Sequence, residues 1–353
     1  MNMQSDGRVI LVSGGAGYIG SHICLVLKQA GFTPVVVDNL VNGNLWATRA
    51  ASAFRQGDIG DAAFIGAVCD EIRPVAAMHF AAFIEVAESV QKPQMYFANN
   101  RDKAKVFFDA LVKKGVRHIV FSSTAAVYGD VTQPAPIRES SPTKPINPYG
   151  QSKLDAETYL RTLANVKSVA LRYFNVAGGK ASAGLGEAHF PESHLIPRLV
   201  LPLIGTPPQL QDALGLAKGF KIFGTDYPTR DGTAVRDYIH VMDLADAHLR
   251  ALRYLLDGGK TDIFNLGSGR GYSVQEIVDA ARETLHRADF NPGVEPRREG
   301  DPATLIADST KAKEILGWAA ERGVNKMIAS AAAWHRSKIY VDTILKKANA
   351  LSG

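Results

Sequence analysis

The chain has 353 residues, 46% of them hydrophobic and 21% charged, which is the usage of globular domains rather than of a disordered segment, and the length suits about two domains. The net charge of +5 comes without a basic stripe, since the doublets Lys113-Lys114, Arg297-Arg298 and Lys346-Lys347 are scattered. Nucleic acid is therefore not an expected partner, while a small basic excess suits an anionic small molecule.

In chain order, Val9 to Val12 reads as a strand, followed by glycines and a helix near Ile19 to Gln29. Val35 to Val37 is the next strand, and Gly57-Asp58-Ile59 ends a third. A helical pattern over Ala62 to Glu71 leads to a strand around Val75 to Phe80. A long helical pattern from Gln94 to Lys114 precedes the strand Arg117 to Ser122. Pro148 opens a helix running to about Leu163, with the strand Ser168 to Tyr173 after it. Alternating strand and helix in this way predicts an α/β fold, a Rossmann-type doubly wound parallel sheet.

The rhythm changes after Asn175. Gly178 to Pro208 is rich in glycine and proline, with a helix expected between Leu195 and Ile204. Shorter elements follow: Lys221 to Phe223, Tyr238 to Val241, a helix from Asp243 to Leu256, Ile263 to Leu266, and a helix from Val274 to Leu285. An alanine-rich helix is expected near Ala329 to Ala333. The expected division is a dinucleotide-binding domain over residues 1–175 and a smaller α/β substrate-binding domain over 176–353, with part of 238–266 returning to complete the first sheet.

Two cysteines, Cys24 and Cys69, lie far apart and outside any CxxC pattern, which argues against a disulfide scaffold or a thiolate metal site. His189 and His194 lie close together but without an HExxH-type pattern, so no metal is expected. The polar start, Met1 to Arg8, has no secretory pattern, and no apolar run approaches the roughly 20 residues that span a membrane. A cytoplasmic protein without a membrane partner is the expectation.

Gly14-Gly15-Ala16-Gly17-Tyr18-Ile19-Gly20 follows a strand and opens a helix, with glycines at 14, 17 and 20 in GxxGxxG spacing. Glycine allows the tight turn and removes the Cβ that would hold backbone away from a pyrophosphate, which a helix N-terminus favours. Asp38, at the end of the next strand, can accept both ribose hydroxyls and would repel a 2′-phosphate, so the expected cofactor is NAD rather than NADP. For Asp58 two readings stand side by side, an acceptor for the adenine amino group and a helix N-cap.

Tyr149 and Lys153 are four residues apart in a helical segment and project from one face. A tyrosine base working near neutrality needs about 4 kcal/mol of differential stabilisation relative to a free phenol. A lysine one turn away and a cationic nicotinamide both favour the phenolate. Thr124 lies just past the carboxyl end of a strand, where doubly wound folds place ligands, and its hydroxyl can hold a substrate alcohol against the Tyr149 oxygen. The alternative for Thr124 is a loop cap, a role open also to Ser122 and Ser123.

With these motifs in place the chain resembles the extended short-chain dehydrogenases/reductases and, within them, the UDP-glucose 4-epimerase family. The likeness runs from the glycine loop to about Trp318 and includes His79-Phe80-Ala81-Ala82, Asn99-Asn100, Leu171-Arg172-Tyr173-Phe174-Asn175, Val235-Arg236-Asp237-Tyr238 and Pro296-Arg297-Arg298-Glu299-Gly300-Asp301. The resemblance implies NAD contacts from Tyr18, Ile19, Asp38, Asn39, Asp58, Ile59, Phe80, Ala81, Asn99, Lys153 and Phe174. It implies nucleotide-sugar contacts from Asn175 and Leu195, uracil contacts from Lys221, Ile222 and Phe223, diphosphate and uridine contacts from Arg236 and Arg298, and a ribose contact from Asp301. Surface pairing with Asp237 and Glu299 is the plainer alternative for the two arginines.

Thr124 stands where many members have serine, Ile84 where some have lysine, and His194 where some have an asparagine facing the sugar nucleotide. Leu305 occupies a position that varies in the family between tyrosine and a small residue, the latter associated with N-acetylated sugars. The activity so implied is 4-epimerisation of a UDP-sugar by a homodimer with tightly held NAD. Epimerases of UDP-N-acetylhexosamines, pentoses or hexuronates share this core, and a non-catalytic NAD sensor would keep only the glycine loop. A 4,6-dehydratase would carry Asp-Glu where Ala125-Ala126 stand, which sets it aside.

Overall fold

The computed structural model describes residues 7–129, 136–298 and 301–352. Glu299 and Gly300, named in the motifs above, lie outside the described residues. The strands in the first half are β1 (Val9–Ser13), β2 (Thr33–Asp38), β3 (Ala53–Gln56), β4 (Ala76–His79), β5 (His118–Ser122) and β6 (Lys167–Tyr173). Shorter ones follow: β7 (Asn175–Ala177), β8 (Lys221–Phe223), β9 (Val235–His240), β10 (Asp262–Leu266), β11 (Gly271–Ser273), β12 (Gly293–Glu295) and β13 (Thr304–Leu305).

By contacts the chain forms two units. The first comprises Met1–Tyr173, Ala245–Leu266 and Asp308–Ala319; the second comprises Phe174–Leu244, Gly267–Ala307 and Ala320–Gly353. In the first, β10-β6-β5-β4-β1-β2-β3 make a seven-stranded sheet in which every pairing is parallel. The central strands read as unbroken apolar runs, Val-Ile-Leu-Val in β1 and Pro-Val-Val-Val in β2, because helices cover both faces of such a sheet. Helices Ala62–Ile72, Lys103–Lys113 and Pro148–Thr162 bury Ile65, Phe107, Leu111, Ala156 and Leu160 in one core with Leu11, Ile119 and Phe121 of the strands.

The second unit has its own core. Ile196, Leu199 and Val200 of the helix Leu195–Leu203 pack with Ile277 of Val274–Leu285 and Ile328 of Val324–His335. The helix Val274–Leu285 starts at a capping box, in which Ser273 Oγ accepts the Glu276 N–H at 3.0 Å and Glu276 Oε2 accepts the Ser273 N–H at 2.9 Å. β9 pairs parallel with β7 and β13 and antiparallel with β11. Within the segment expected to return to the first sheet, β10 therefore does so while β9 anchors a sheet of its own. The three-residue β7, β11 and β12 and the two-residue β13 are too short to leave a period in the sequence.

One expected helix is interrupted. Helices Pro93–Tyr96 and Lys103–Lys113 flank a π-helical turn over Phe97–Asp102. The cause is Asn100, whose amide closes on the main chain of Phe83 in both directions, at 2.8 and 2.9 Å, and reaches Ser152 Oγ at 3.3 Å. Such widened turns cluster at functional sites, and this one carries Asn99.

The glycine loop shows why side chains are excluded from it. Gly14 has φ +73°, and a Cβ there would lie 2.4 Å from the Ala81 nitrogen; a Cβ on Gly20 would lie 2.4 Å from the Gly14 oxygen. Gly14→Ala is expected to cost about 1–2 kcal/mol for the left-handed conformation alone, with more from displacing Phe80-Ala81. Guanidinium unfolding checks it: the midpoint falls with an unchanged slope.

Candidate active site

In the first unit β1 lies between β2 and β4, so the chain leaves β1 in one direction across the sheet and later returns to its other side. Ligands of such sheets bind outside the carboxyl ends of the strands at that reversal. There the glycine loop is held to both neighbours: the Gly14 N–H donates to Val37 O at 2.9 Å and the Phe80 N–H to Ser13 O at 2.8 Å. Tyr18, Ile19 and Gly20 form the first turn of the helix Tyr18–Gln29, whose start at Gly17 has no side-chain cap. A helix start of this kind takes an anion as its cap.

Asp38 ends β2 and is buried. Burial pushes its carboxyl above the usual range, against the N–H groups of Leu40 at 2.8 Å and Ala16 at 3.1 Å, which hold it down. Asp58 is not a helix cap: Asp61 does that work, accepting the Phe64 N–H at 2.9 Å. Asp58 takes the Gly60 N–H at 2.8 Å, Lys103 Nζ at 2.6 Å and Asn39 Nδ2 at 3.2 Å. Burial raises its pKa, and these donors together bring it below the ordinary carboxylate value. Ile59 is buried beside it, and Phe80 and Ala81 are half-buried next to the glycine loop. Asn99 is half-buried and donates to Asn100 Oδ1 at 3.0 Å. An uncapped helix start, a cradle that a Cβ would fill and an acidic end to β2 fit NAD.

Tyr149 and Lys153 lie in the helix Pro148–Thr162, which begins where Asn147 Oδ1 accepts the Gly150 N–H at 2.8 Å and proline fills its first position. Tyr149 is half-buried beside the Thr124 side chain. Burial pushes the phenol above its ordinary value, the Thr124 hydroxyl pulls it down and the Glu85 carboxylate pushes it up again. Lys153 is buried, with Nζ 4.5 Å from the centre of the Phe121 ring. Burial takes its ammonium down to about 7, against the upward pull of Glu157. Without a bound cofactor, desolvation acts on both members of the pair, raising the phenol and lowering the ammonium. His79, beneath them, is kept neutral by burial and by Lys153, with Nδ1 2.7 Å from Ser13 Oγ.

Of the two roles read for Thr124, the cap is the one formed within the chain: its Oγ1 accepts the Ala126 N–H at 3.1 Å at the start of the turn Ala125–Tyr128, and its side chain lies beside Tyr149. The neighbouring hydroxyls are committed elsewhere: Ser122 to Tyr173, and Ser123 to Glu157 Oε2 at 2.9 Å.

Glu157 and Arg172 escaped the residue-by-residue reading as supports of the site. They form a buried ion pair, with Arg172 Nε 3.1 Å from Glu157 Oε2, and Arg172 Nη1 continues to Tyr128 Oη at 3.0 Å, which donates to Asn265 Oδ1 at 2.6 Å. The signal was present: Tyr149, Lys153 and Glu157 recur every fourth residue on one helix face.

The remaining expected residues lie in the second unit, which Phe174 and the exposed Asn175 open. Leu195 starts a helix, with His194 immediately before it and in contact with Glu187. Lys221, Ile222 and Phe223 are β8; Lys221 pairs with Glu295, and the Arg298 guanidinium lies 4.0 Å over the Phe223 ring. Arg236 binds Asp301 at 2.6 Å rather than its neighbour Asp237, which is buried as an acceptor for the N–H groups of Ser268, Gly269 and Ala307. Leu305 pairs with Arg236 across β13 and β9.

The model of the NAD dependent epimerase/dehydratase family matches residues 10–267. A UDP-glucose 4-epimerase of Streptococcus mutans is 48% identical over 334 residues, 93% of this chain and 97% of that one. The crystal structure of UDP-glucose 4-epimerase from Brucella ovis in complex with NAD is 40% identical, with a TM-score of 0.85 over 92% of this chain and 98% of that one. The Bifidobacterium longum enzyme in complex with NAD+ and UDP is 35% identical, with a TM-score of 0.85 over 94% and 99%.

The buried ion pair can be tested apart from any activity. Glu157→Ala strands the Arg172 charge and is expected to cost about 3–5 kcal/mol in urea or guanidinium unfolding, while replacing both residues with methionine restores most of it.

Proposed function

This chain belongs to the NAD dependent epimerase/dehydratase family, and from that premise we infer that it interconverts UDP-galactose and UDP-glucose through a transient 4-keto sugar. The observation that carries the reading is Tyr149 beside the Thr124 side chain, with Lys153 buried one turn along the same helix, in the unit that also holds the glycine loop. The cofactor is NAD, which when bound would supply a reversible hydride acceptor for C4 of the sugar. Gly14, Gly17, Tyr18, Ile19 and Gly20 are read as holding its pyrophosphate, Asp38 its ribose, and Asp58 and Ile59 its adenine.

The side chains handle the proton. Tyr149 Oη accepts it from the 4-hydroxyl as the C–H bond breaks and gives it back to the new alcohol, and Thr124 Oγ1 orients that oxygen. Lys153 supplies the charge that favours the phenolate, and Glu157 partly offsets the effect of burial on Lys153. The planar keto sugar has to turn over, so the hexose is held loosely while remote contacts anchor the nucleotide. Arg236 is proposed for the diphosphate, since a guanidinium matches two phosphate oxygens at once. Lys221, Ile222, Phe223 and Arg298 are proposed for uracil and uridine, and Asp301 for ribose. Because Asp301 pairs with Arg236 in the free chain, one ligand would claim both residues.

Ala125 and Ala126 form the turn after Thr124 and offer no ionisable group for expelling water, which disfavours dehydration. A regulator that only senses NAD has no use for Thr124, Tyr149 and Lys153 together. The same reading carries a cytoplasmic homodimer joined through the helical segments Gln94 to Lys114 and Pro148 to Leu163, as the family resemblance implies; among the described residues no helix is long and apolar enough to cross a membrane.

Purified protein incubated with UDP-galactose and no added NAD is expected to produce UDP-glucose, whereas a product lacking the C6 oxygen contradicts the reading. Tyr149→Phe is expected to lower kcat by about 10²–10⁴-fold while the bound NAD absorbance persists; unchanged turnover removes Tyr149 from its role.

A further inference from the structure

The loop leading into the helix Leu195–Leu203 has the sequence Glu187-Ala-His189-Phe-Pro-Glu192-Ser-His194. Glu187, His189, Glu192 and His194 each bring one ligand-type atom to a common space, all four within 4.8 Å of one another. His189 Nδ1 lies 3.0 Å from Glu187 Oε1 and 3.9 Å from Glu192 Oε1, and His194 Nδ1 contacts Glu187 Oε1. The Glu187 and Glu192 side chains are 3% and 0% exposed.

Two carboxylates in so desolvated a place are costly without a cation. Among the described residues the ion-pair contacts of both carboxylates come from the two histidines and not from an arginine or lysine. Arg198 donates to the main-chain carbonyl of Glu192 at 2.9 Å, not to its carboxylate, and Lys347 faces the carbonyl of Ala188 at 3.4 Å. Glu192 Oε1 accepts the His194 N–H at 2.9 Å, while Oε2 is buried without a hydrogen-bond partner.

The surroundings are rigid. Trp334 Nε1 donates to the Glu187 carbonyl at 2.6 Å, and a Cβ on Gly186 would lie 2.3 Å from the Trp334 ring. His335, buried behind the cluster, is held neutral, its pKa taken down to about 4.

We propose that Glu187, His189, Glu192 and His194 form a structural binding site for a divalent cation of the zinc class. Tetrahedral bonds of 2.0–2.2 Å from nitrogen and oxygen place ligand atoms about 3.3–3.6 Å apart, a spacing that the 3.0 and 3.9 Å separations bracket. Two imidazoles disfavour magnesium and calcium, which take oxygen ligands in larger number. Four protein ligands leave no open position for water, so the ion would fix structure rather than do chemistry. It would lock the loop that ends at Leu195, the residue proposed to touch the nucleotide sugar. The site stands on its own geometry and does not depend on the epimerase reading. The thiols do not compete for the metal: burial pushes Cys24 to about 12 and Cys69 to about 11.

The test is elemental analysis of tag-free protein, followed by Zn²⁺ titration of chelator-stripped protein against a chromophoric competitor. One equivalent of zinc per chain is expected, with binding weakened more than about tenfold in His189→Ala and in Glu192→Gln. Retained NAD absorbance and far-ultraviolet dichroism show that the variants fold. Co²⁺ added to stripped wild-type protein is expected to give the intense visible bands of a tetrahedral ion, which keeps the test decisive if a variant fails to fold. Protein purified without metal, whose stripped form binds Zn²⁺ no better than the variants or gives no tetrahedral cobalt spectrum, overturns the proposal.

Discussion

A lysine buried one helical turn below a phenol is the constraint around which the first unit is arranged. Placing Lys153 out of water lowers its pKa to about 7, well under the ordinary lysine value, so the fold has to work to keep it charged. Glu157, one turn further along, does part of that work, and Arg172 and Ser123 hold Glu157 in place. The linkage has a definite sign. The folded chain gives up the Lys153 proton near pH 7 and the unfolded chain near the ordinary lysine value of 10.5. The cost to folding is therefore full below about pH 7 and fades as pH rises toward 10.5. A charged group kept at such a cost serves a purpose other than stability. The purpose here is the Tyr149 oxygen, which burial alone would leave firmly protonated.

Much of this was legible in the sequence because period and spacing leave marks. The unbroken apolar runs of β1 and β2, the glycines at 14, 17 and 20, and the fourfold spacing of Tyr149 and Lys153 each follow from a local geometric requirement. What stayed hidden depends on partners far along the chain. Asn100 widens the helix at Phe97–Asp102 because it bonds Phe83 and Ser152, which no local pattern announces. Asp58 and Asp61 are equally suited to cap a helix by residue type, and only the path of the main chain decides for Asp61. Thr124 caps its own turn because Ser122 and Ser123 are drawn to Tyr173 and Glu157, 51 and 34 residues away. The Glu-x-His-x-x-Glu-x-His loop was passed over because its spacing is that of no helix.

The second unit makes different demands. Its strands are short, and its polar side chains are matched to one another in the free chain: Arg236 with Asp301, Lys221 with Glu295, Arg298 over Phe223. A ligand that takes these residues exchanges one set of partners for another, which lets binding energy be spent on the nucleotide while the reacting hexose stays mobile. Rigidity is needed most where the chain lacks regular structure, and the loop before Leu195 is such a place. A cation there would act on that loop much as the Glu157–Arg172 pair acts on the helix Pro148–Thr162, by fixing a segment on which function depends.

The most direct measurement is a pH titration of the ultraviolet tyrosinate band in the NAD-bound protein, with Tyr149→Phe and Lys153→Met alongside. One tyrosine is predicted to ionise well below the ordinary value of about 10, to vanish from the Tyr149→Phe curve and to move upward in Lys153→Met. If no tyrosine of the NAD-bound protein ionises below that value, Tyr149 is not the base and the arrangement around Lys153 has been misread.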